Sequence, residues 1–125
     1  MLSEDLNKRI NYLEIPVTDI ESAKAFFAAV FDWSFVDYGP QYAAFNDGAM
    51  DGGLSLQTEK PAMGGALIVF FAVDLEAMLA QVKANGGHIV KDIFSFPGGR
   101  RFHFQDPAKD GEYAVWSDRG LEAQA

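Results

Sequence analysis

The chain has 125 residues, no cysteine and a formal net charge of −8, from 10 lysines and arginines against 18 aspartates and glutamates. This size fits one globular domain, and an apolar content of 49% excludes a mostly disordered chain. Disulfides, cysteine zinc sites and cysteine nucleophiles are excluded, and the acidic balance argues against nucleic acid as a partner. No apolar run is long enough for a membrane helix, and the charged first ten residues predict no secretory signal. We therefore expect a cytoplasmic protein with no membrane partner.

The first half of the chain predicts a strand, a helix and three further strands. Residues 10–17 alternate between apolar and polar and are rich in β-formers. Thr18 to Glu21 fits a capping box with Thr18 as the cap, and apolar residues then recur at helical spacing to residue 31. Turn signals separate the later strands, which are predicted over residues 33–38, 42–45 and 54–57.

The second half predicts the same order of elements. Residues 66–73 form a short apolar run that suits a strand buried on both faces. Asp74 can cap a helix that ends at Gly86-Gly87. Its apolar face comprises Leu75, Met78, Leu79 and Val82. Three strands are predicted to follow, over residues 88–96, 101–105 and 112–117.

The two halves of the sequence align with each other as a repeat. Asp19 corresponds to Asp74 and Phe45 to Phe104, at offsets of 55 and 59 residues. The repeat is a duplicated βαβββ unit, which is too small to bury its sheet alone, so two units must pair within the chain or across a dimer. We interpret residues 1–125 as one domain, with module one at about residues 9–58 and module two at about residues 66–117.

Two segments resemble motifs of the vicinal oxygen chelate superfamily, which includes glyoxalase I, the bleomycin- and fosfomycin-resistance proteins and the extradiol dioxygenases. Residues 12–19 running into 23–33 (AKAFFAAVFDW) resemble its opening VxDxxxAxxFYxxxFGW. Residues 96–116 (FPGGRRFHFQDPAKDGEYAVW) resemble its closing FxDPxGNxxxLW hairpin. The resemblance implies an α+β fold in which two paired βαβββ modules form a curled mixed sheet. That sheet is a cup that holds a ligand or metal, with the helices outside. A homodimer with its cups near the interface is also implied.

The superfamily's metalloenzymes take a histidine from the first strand of each module and a glutamate from the last. The corresponding first-strand positions here hold Tyr12 and Ile68, and the last-strand position of module two holds Ala114. In module one that position falls within residues 53–57, which contain no carboxylate or imidazole. Ile and Ala carry no donor atom for a divalent ion, and tyrosine is a poor ligand unless it is deprotonated. These departures predict a member with no metal in the usual site and no cofactor.

Strand parity predicts an apolar, aromatic cup lined by Tyr12, Phe70 and Trp116, with Glu14 on the same side. Glu14 is a candidate hydrogen-bond acceptor or general base, and the alternative is a surface ion pair. The predicted ligand-binding residues are Tyr12, Glu14, Ile68, Phe70, Arg101, His103, Ala114 and Trp116.

Arg101 and His103 add polar candidates near the end of the chain. Arg100 and Arg101 follow a glycine-rich turn and suit an anion, or they pair with surface acids. His103 lies in mid-strand between two phenylalanines. Parity leaves open whether Arg101 and His103 face the cup or the solvent.

These observations favour a metal-free small-molecule binding protein that holds an apolar or aromatic ligand in the cup. A metal-dependent lyase or isomerase of the glyoxalase type is one alternative, and it would need ligands from unexpected positions such as Glu14 and His103. A metal-free acid/base enzyme using Glu14 or His103 is another. A structural role fits if Tyr12, Phe70 and Trp116 fill the cup themselves.

Overall fold

The computed structural model describes residues 7–62 and 65–119, which form two modules of identical element order. Module one contains β1 (Tyr12–Val17), α1 (Ile20–Phe31), β2 (Ser34–Asp37), β3 (Tyr42–Asn46) and β4 (Asp51–Leu56). Module two contains β5 (Ile68–Phe71), α2 (Leu75–Ala84), β6 (His88–Phe96), β7 (Gly99–Gln105) and β8 (Glu112–Ser117). The predicted α+β fold with a duplicated βαβββ unit is confirmed.

Each module builds its own four-stranded mixed sheet. Sheet A has the order β1-β4-β3-β2, and sheet B has the equivalent order β5-β8-β7-β6. The first strand of each module runs parallel to the last, and the other neighbours are antiparallel. Within the described chain the two sheets stay separate and do not close into one, so β1 and β5 are both edge strands.

The start of α1 differs from the predicted capping box. Asp19, not Thr18, is the N-cap, and its carboxylate accepts a hydrogen bond from the Ser22 backbone N–H at 3.0 Å. Thr18 is occupied elsewhere, because its backbone N–H and its hydroxyl both donate to the Asp110 carboxylate, at 2.7 and 2.8 Å. The Thr18 side chain therefore links module one to module two instead of capping its own helix.

One aromatic core joins the modules. Phe31 of α1 stacks on Phe70 of β5 with ring centroids 4.0 Å apart, and Phe26 lies 5.9 Å from Phe104 of β7. Phe27 is fully buried and stacks on Trp33 at 4.4 Å. Burial of each such side chain contributes about 1.5–3 kcal/mol. Helix α1 of module one thus packs against the sheet of module two.

Strand β5 corrects the prediction of a strand buried on both faces. Its burial alternates, with Ile68 and Phe70 packed against the core and Val69 and Phe71 exposed to 43% and 47%. The reason is that only one face of the strand packs against the core.

Helix α2 begins as predicted. Asp74 caps it by accepting a hydrogen bond from the Ala77 backbone N–H at 3.0 Å. Leu75 and Val82 on its apolar face are fully buried. In the part of the chain that the structure describes, neither helix is long and apolar enough to span a bilayer.

Candidate functional site

Each sheet has an outer face, which is the face turned away from the shared core. On sheet A the outer face carries Tyr12 and Glu14 of β1, which alternate with the core-facing Leu13 and Ile15. On sheet B the outer face carries Arg101, His103 and Trp116, since their neighbours Phe102, Phe104 and Val115 are core residues. Arg101 and His103 therefore lie on the same side of sheet B as Trp116, away from the shared core.

Glu14 is held by a tyrosine cluster on the outer face of sheet A. The Tyr42 hydroxyl donates to Glu14 Oε1 at 3.0 Å, and the Tyr12 and Tyr42 hydroxyl oxygens are 2.7 Å apart. The hydrogen bond with Tyr12 raises the pKa of Tyr42, and partial burial and Glu14 act in the same direction. Tyr42 therefore stays a protonated donor that fixes the carboxylate of Glu14.

A cavity of about 490 Å³ lies where β1 approaches the starts of β5 and β8. Its walls are mostly apolar, and they also contain the carboxylates of Glu14, Asp110 and Glu112. The lining residues are Leu13, Glu14, Ile15, Pro16, Pro61, Ala62, Gly65, Ala66, Leu67, Ile68, Asp110, Gly111, Glu112 and Tyr113. Of the predicted ligand-binding residues, Glu14 and Ile68 lie here together. We call this space the junction cavity.

Asp110 lines the junction cavity and has a structural role. Its side chain is 2% exposed and also accepts an ion pair from Lys60 Nζ at 3.4 Å. Lys60 Nζ donates to the Ala108 carbonyl as well. With its oxygens bonded to Thr18 and Lys60, Asp110 joins the end of β1 and the segment between β4 and β5 to the loop before β8.

His103 is buried on the outer face of sheet B and is oriented by an acid. Its Nδ1 lies 2.8 Å from Glu112 Oε2, while its Nε2 is buried with no hydrogen-bond partner. Its ring stacks on Phe94 with centroids 5.9 Å apart. The β6 strand shifts register at Lys91, directly opposite His103. Bulges of this kind often re-aim side chains beside functional sites.

The Arg101 guanidinium packs over aromatic rings next to His103. Its guanidinium carbon is 5.4 Å from the Phe94 ring centroid and 5.7 Å from that of Phe96. Trp116 belongs to the same aromatic group, because its ring centroid lies 6.3 Å from that of Phe96 and 5.2 Å from that of Phe71. The structure thus brings the predicted Arg101, His103 and Trp116 to one face.

Sequence reasoning did not select Tyr42, Glu112, Phe94 or Phe96. Tyr42 and Phe94 lie in predicted strands, but their face depends on strand register. Glu112 was detectable in principle. The predicted strands β7 and β8 form a hairpin, which brings Glu112 at the start of β8 alongside His103 and Gln105 of β7.

The structure corrects two placements. Phe70 does not face the cup with Trp116, because it pairs with Val115 in the ladder and its ring packs on Phe31 in the core. Ala114 is fully buried opposite His103, so it presents no surface to a ligand. Arg100 faces away from Arg101 and pairs with Glu76, which is the surface-acid pairing that the sequence left open, and this hydrogen bond lowers the pKa of Glu76.

Known proteins share the sequence pattern and the fold of this chain. The family model of the Glyoxalase/Bleomycin resistance protein/Dioxygenase superfamily covers residues 9–112. The chain belongs to this superfamily. One similar protein is a glyoxylase-like domain-containing protein of Didymella fabae, which is 27% identical over an alignment of 125 positions that covers 92% of this chain and 98% of the relative.

Solved structures of the superfamily share the fold at low identity. The fosfomycin resistance protein FosX of Listeria monocytogenes superposes with a TM-score of 0.76 at 16% identity, covering 100% of both chains. FosX of Mesorhizobium loti gives 0.74 at 18% identity, over 94% of this chain and 98% of that one. A lactoylglutathione lyase of Agrobacterium tumefaciens gives 0.69 at 21% identity, over 88% and 93%. The predicted superfamily resemblance is confirmed.

The donor set does not fit a metal centre of the superfamily kind. Ile68 and Ala114, at two of the usual ligand positions, have no donor atom, and the Tyr12 hydroxyl is hydrogen-bonded to Tyr42. Within residues 7–62 and 65–119, no three His, Asp or Glu side chains cluster closely enough to hold an ion. His103 and Glu112 bond to each other, and within the described residues they are not part of any group of three acidic or imidazole side chains that could hold an ion.

Proposed function

We propose that this superfamily member binds a small apolar or aromatic molecule in the junction cavity without a metal ion. The observation that carries the proposal is the cavity of about 490 Å³ beside a carboxylate held in place by Tyr42. Ligand sites in proteins have volumes of about 300–1,000 Å³ and combine apolar walls with a few placed polar groups. The junction cavity has this composition.

The walls supply the binding energy and Glu14 supplies orientation. Leu13, Leu67 and Ile68 offer apolar surface, and apolar contact is worth about 25 cal/mol per Å² removed from water. Glu14 accepts one hydrogen bond from Tyr42 and, as a carboxylate, has room for another from a ligand N–H or O–H. We therefore assign Glu14 the role of polar anchor.

The same proposal includes a homodimer. Tyr12, Val69 and Phe71 on the outer faces are exposed to 46%, 43% and 47%. Val69 and Phe71 project from the same face of β5. Adjacent exposed apolar side chains mark an interaction surface, and a second copy of the chain would cover it. Light scattering after size exclusion should give about twice the chain mass of 13.7 kDa. A mass of one chain across the working concentration range would contradict the dimer.

A thermal-shift screen of neutral aromatic and aliphatic compounds on EDTA-treated protein tests the binding function. We expect stabilising compounds without added metal, since a ligand that binds only the native state raises the unfolding temperature. Ala66→Phe fills the junction cavity and should abolish the shifts. Ala28→Phe places the same side chain on an exposed position of α1 and should leave them unchanged. Shifts that need added metal, or that survive Ala66→Phe, would overturn the proposal.

A further inference from the structure

The walls of the junction cavity are acidic. The carboxylates of Glu14, Asp110 and Glu112 line it, and its described lining residues include no lysine, arginine or histidine. Lys60 balances the charge of Asp110 through an ion pair of 3.4 Å. Glu112 pairs with His103, which balances its charge only when the imidazole is protonated. An anion in this cavity would meet negative charge and no basic wall residue to pair with, whereas a cation would be attracted.

Glu14 is the carboxylate whose charge stays unbalanced. Its Oε1 accepts a hydrogen bond from the Tyr42 hydroxyl, which is a neutral donor. Across residues 7–62 and 65–119 it forms no ion pair, and its Oε2 has no hydrogen-bond partner. Hydrogen bonds from a cationic N–H to a carboxylate are roughly twice as strong as those between neutral groups. Glu14 is therefore better suited to an ammonium group than to a neutral donor.

Tyr113 adds an unpartnered hydroxyl to the same cavity. The residue is only 3% exposed, and its ring stacks on Phe104 with centroids 5.3 Å apart. The hydroxyl oxygen lies 3.4 Å from the place that a Cβ of Gly111 would occupy, and none of the described residues hydrogen-bonds to it. Burial raises the pKa of Tyr113, and the charges of Asp106 and Asp110 act in the same direction, so the hydroxyl stays protonated. A buried polar group of this kind is stabilised when a ligand supplies its partner.

These three features define a ligand with a charged end, an apolar body and a second polar group. We propose that the junction cavity takes an organic cation, which is a protonated amine on an aromatic or aliphatic body. The ammonium group donates to Glu14, the body lies against the apolar walls, and an N–H or O–H on the body donates to the Tyr113 hydroxyl. This ligand class rests on the proposed function, since both need the junction cavity to be the binding site.

Isothermal titration at pH 7 with three indoles of similar shape tests the charge preference. Tryptamine carries an ammonium group, tryptophol a neutral hydroxyl and indole-3-acetate a carboxylate. We expect tryptamine to bind about tenfold more tightly than tryptophol, because only tryptamine forms the charge-assisted pair with Glu14, and indole-3-acetate to bind most weakly. Raising the salt concentration should weaken tryptamine binding and leave tryptophol binding nearly unchanged.

Variants assign the preference to its residues. Glu14→Gln keeps an acceptor for Tyr42 but loses the charge, so the preference for tryptamine over tryptophol should fall to about twofold or less. Glu21→Gln removes the same charge from an exposed position on α1 and should retain the full preference. Tyr113→Phe removes only the hydroxyl and should weaken tryptamine binding about threefold or more. The same variant should leave the binding of 1-methyltryptamine unchanged, because that compound has no ring N–H.

The outcomes separate the ligand class from the cavity itself. Tryptophol or indole-3-acetate binding as tightly as tryptamine, a preference that survives Glu14→Gln, or no binding of any of the indoles would overturn the cation class. An equal effect of Tyr113→Phe on tryptamine and 1-methyltryptamine would overturn the role of Tyr113. If Ala66→Phe abolishes the thermal shifts by neutral compounds while tryptamine is not preferred, the cavity stands as the site and only the cation class fails. Tryptamine binding that survives Ala66→Phe would overturn both.

Discussion

The hydroxyl of Tyr42 donates a hydrogen bond to a carboxylate oxygen of Glu14 over 3.0 Å, across a strand that lies between their own. Tyr42 is on β3 and Glu14 on β1, and β4 separates them. The phenol crosses β4 at Gly53, where any Cβ would clash with the Tyr42 ring and hydroxyl. The polar anchor of the junction cavity therefore depends on the absence of a side chain at one position.

Gly53→Ala should destabilise the protein by about 1–3 kcal/mol, because the added methyl must push the Tyr42 ring off β4. Urea unfolding measures the change in free energy. In a Tyr42→Ala background the same substitution should cost much less, since the clashing ring is gone. Equal costs in the two backgrounds would show that Gly53 does not serve to admit Tyr42.

Asp110→Ala should cost about 2–4 kcal/mol of unfolding free energy, because it leaves the Thr18 backbone N–H and hydroxyl without their acceptor. Thr18→Val removes only the hydroxyl donor and should cost about 1 kcal/mol. The double variant should cost less than the sum of the two. A cost for Asp110→Ala no larger than that for Thr18→Val would mean that this contact does not hold the modules together.

Asp106 should make the protein less stable as the pH rises. Burial raises the pKa of its carboxyl in the native state, against a hydrogen bond from the Gly111 backbone N–H that acts the other way. The native protein therefore binds this proton more tightly than the unfolded chain. Stability is lost as the pH rises from the unfolded pKa of about 3.9 through the raised native pKa.

Asp106→Asn retains an acceptor oxygen for Gly111 and cannot ionise, so it should remove this loss. Its unfolding free energy relative to wild type should increase as the pH rises above about 4. Asp118→Asn removes the same charge at an exposed position and serves as the control. A difference from wild type that stays constant with pH would contradict the assignment to Asp106.

Phe70→Leu and Phe71→Leu should differ in their cost in unfolding free energy, because the two side chains lie on opposite faces of β5. Phe70 packs in the core, so its substitution should cost about 1–2 kcal/mol, while the neighbouring Phe71 is half exposed and should cost less than half of that. Chemical unfolding of both variants measures the costs. The opposite order would restore the original prediction that Phe70 faces the cup.

The elements of this fold are predictable because their signals are local. The Asp74 cap, the helical spacing of the apolar residues and the turn glycines each act within a few residues. The outward face of β5 was not predictable, since the run at residues 66–73 is apolar at every position and carries no alternation. Only its register with β8, which sets Phe71 beside Trp116, decides which side chains face outward.

The candidate site was partly predictable for a related reason. Glu14, Arg101 and His103 could be selected by residue type and strand position. Their partners could not, because Tyr42 is 28 positions from Glu14 and Asp110 is 92 positions from Thr18. Thr18 shows the consequence. Its local sequence predicted a helix cap, but the fold brings the Asp110 carboxylate from module two, and Thr18 donates to that carboxylate instead.

A fluorescence titration of EDTA-treated protein with Nile red, a neutral aromatic dye, tests the binding function most directly. We expect saturable binding that added Mn²⁺ or Zn²⁺ does not tighten, that Ala66→Phe abolishes and that Ala28→Phe preserves. Binding that appears only after metal is added would contradict the metal-free account. Binding that Ala66→Phe leaves intact would show that the junction cavity is not the site.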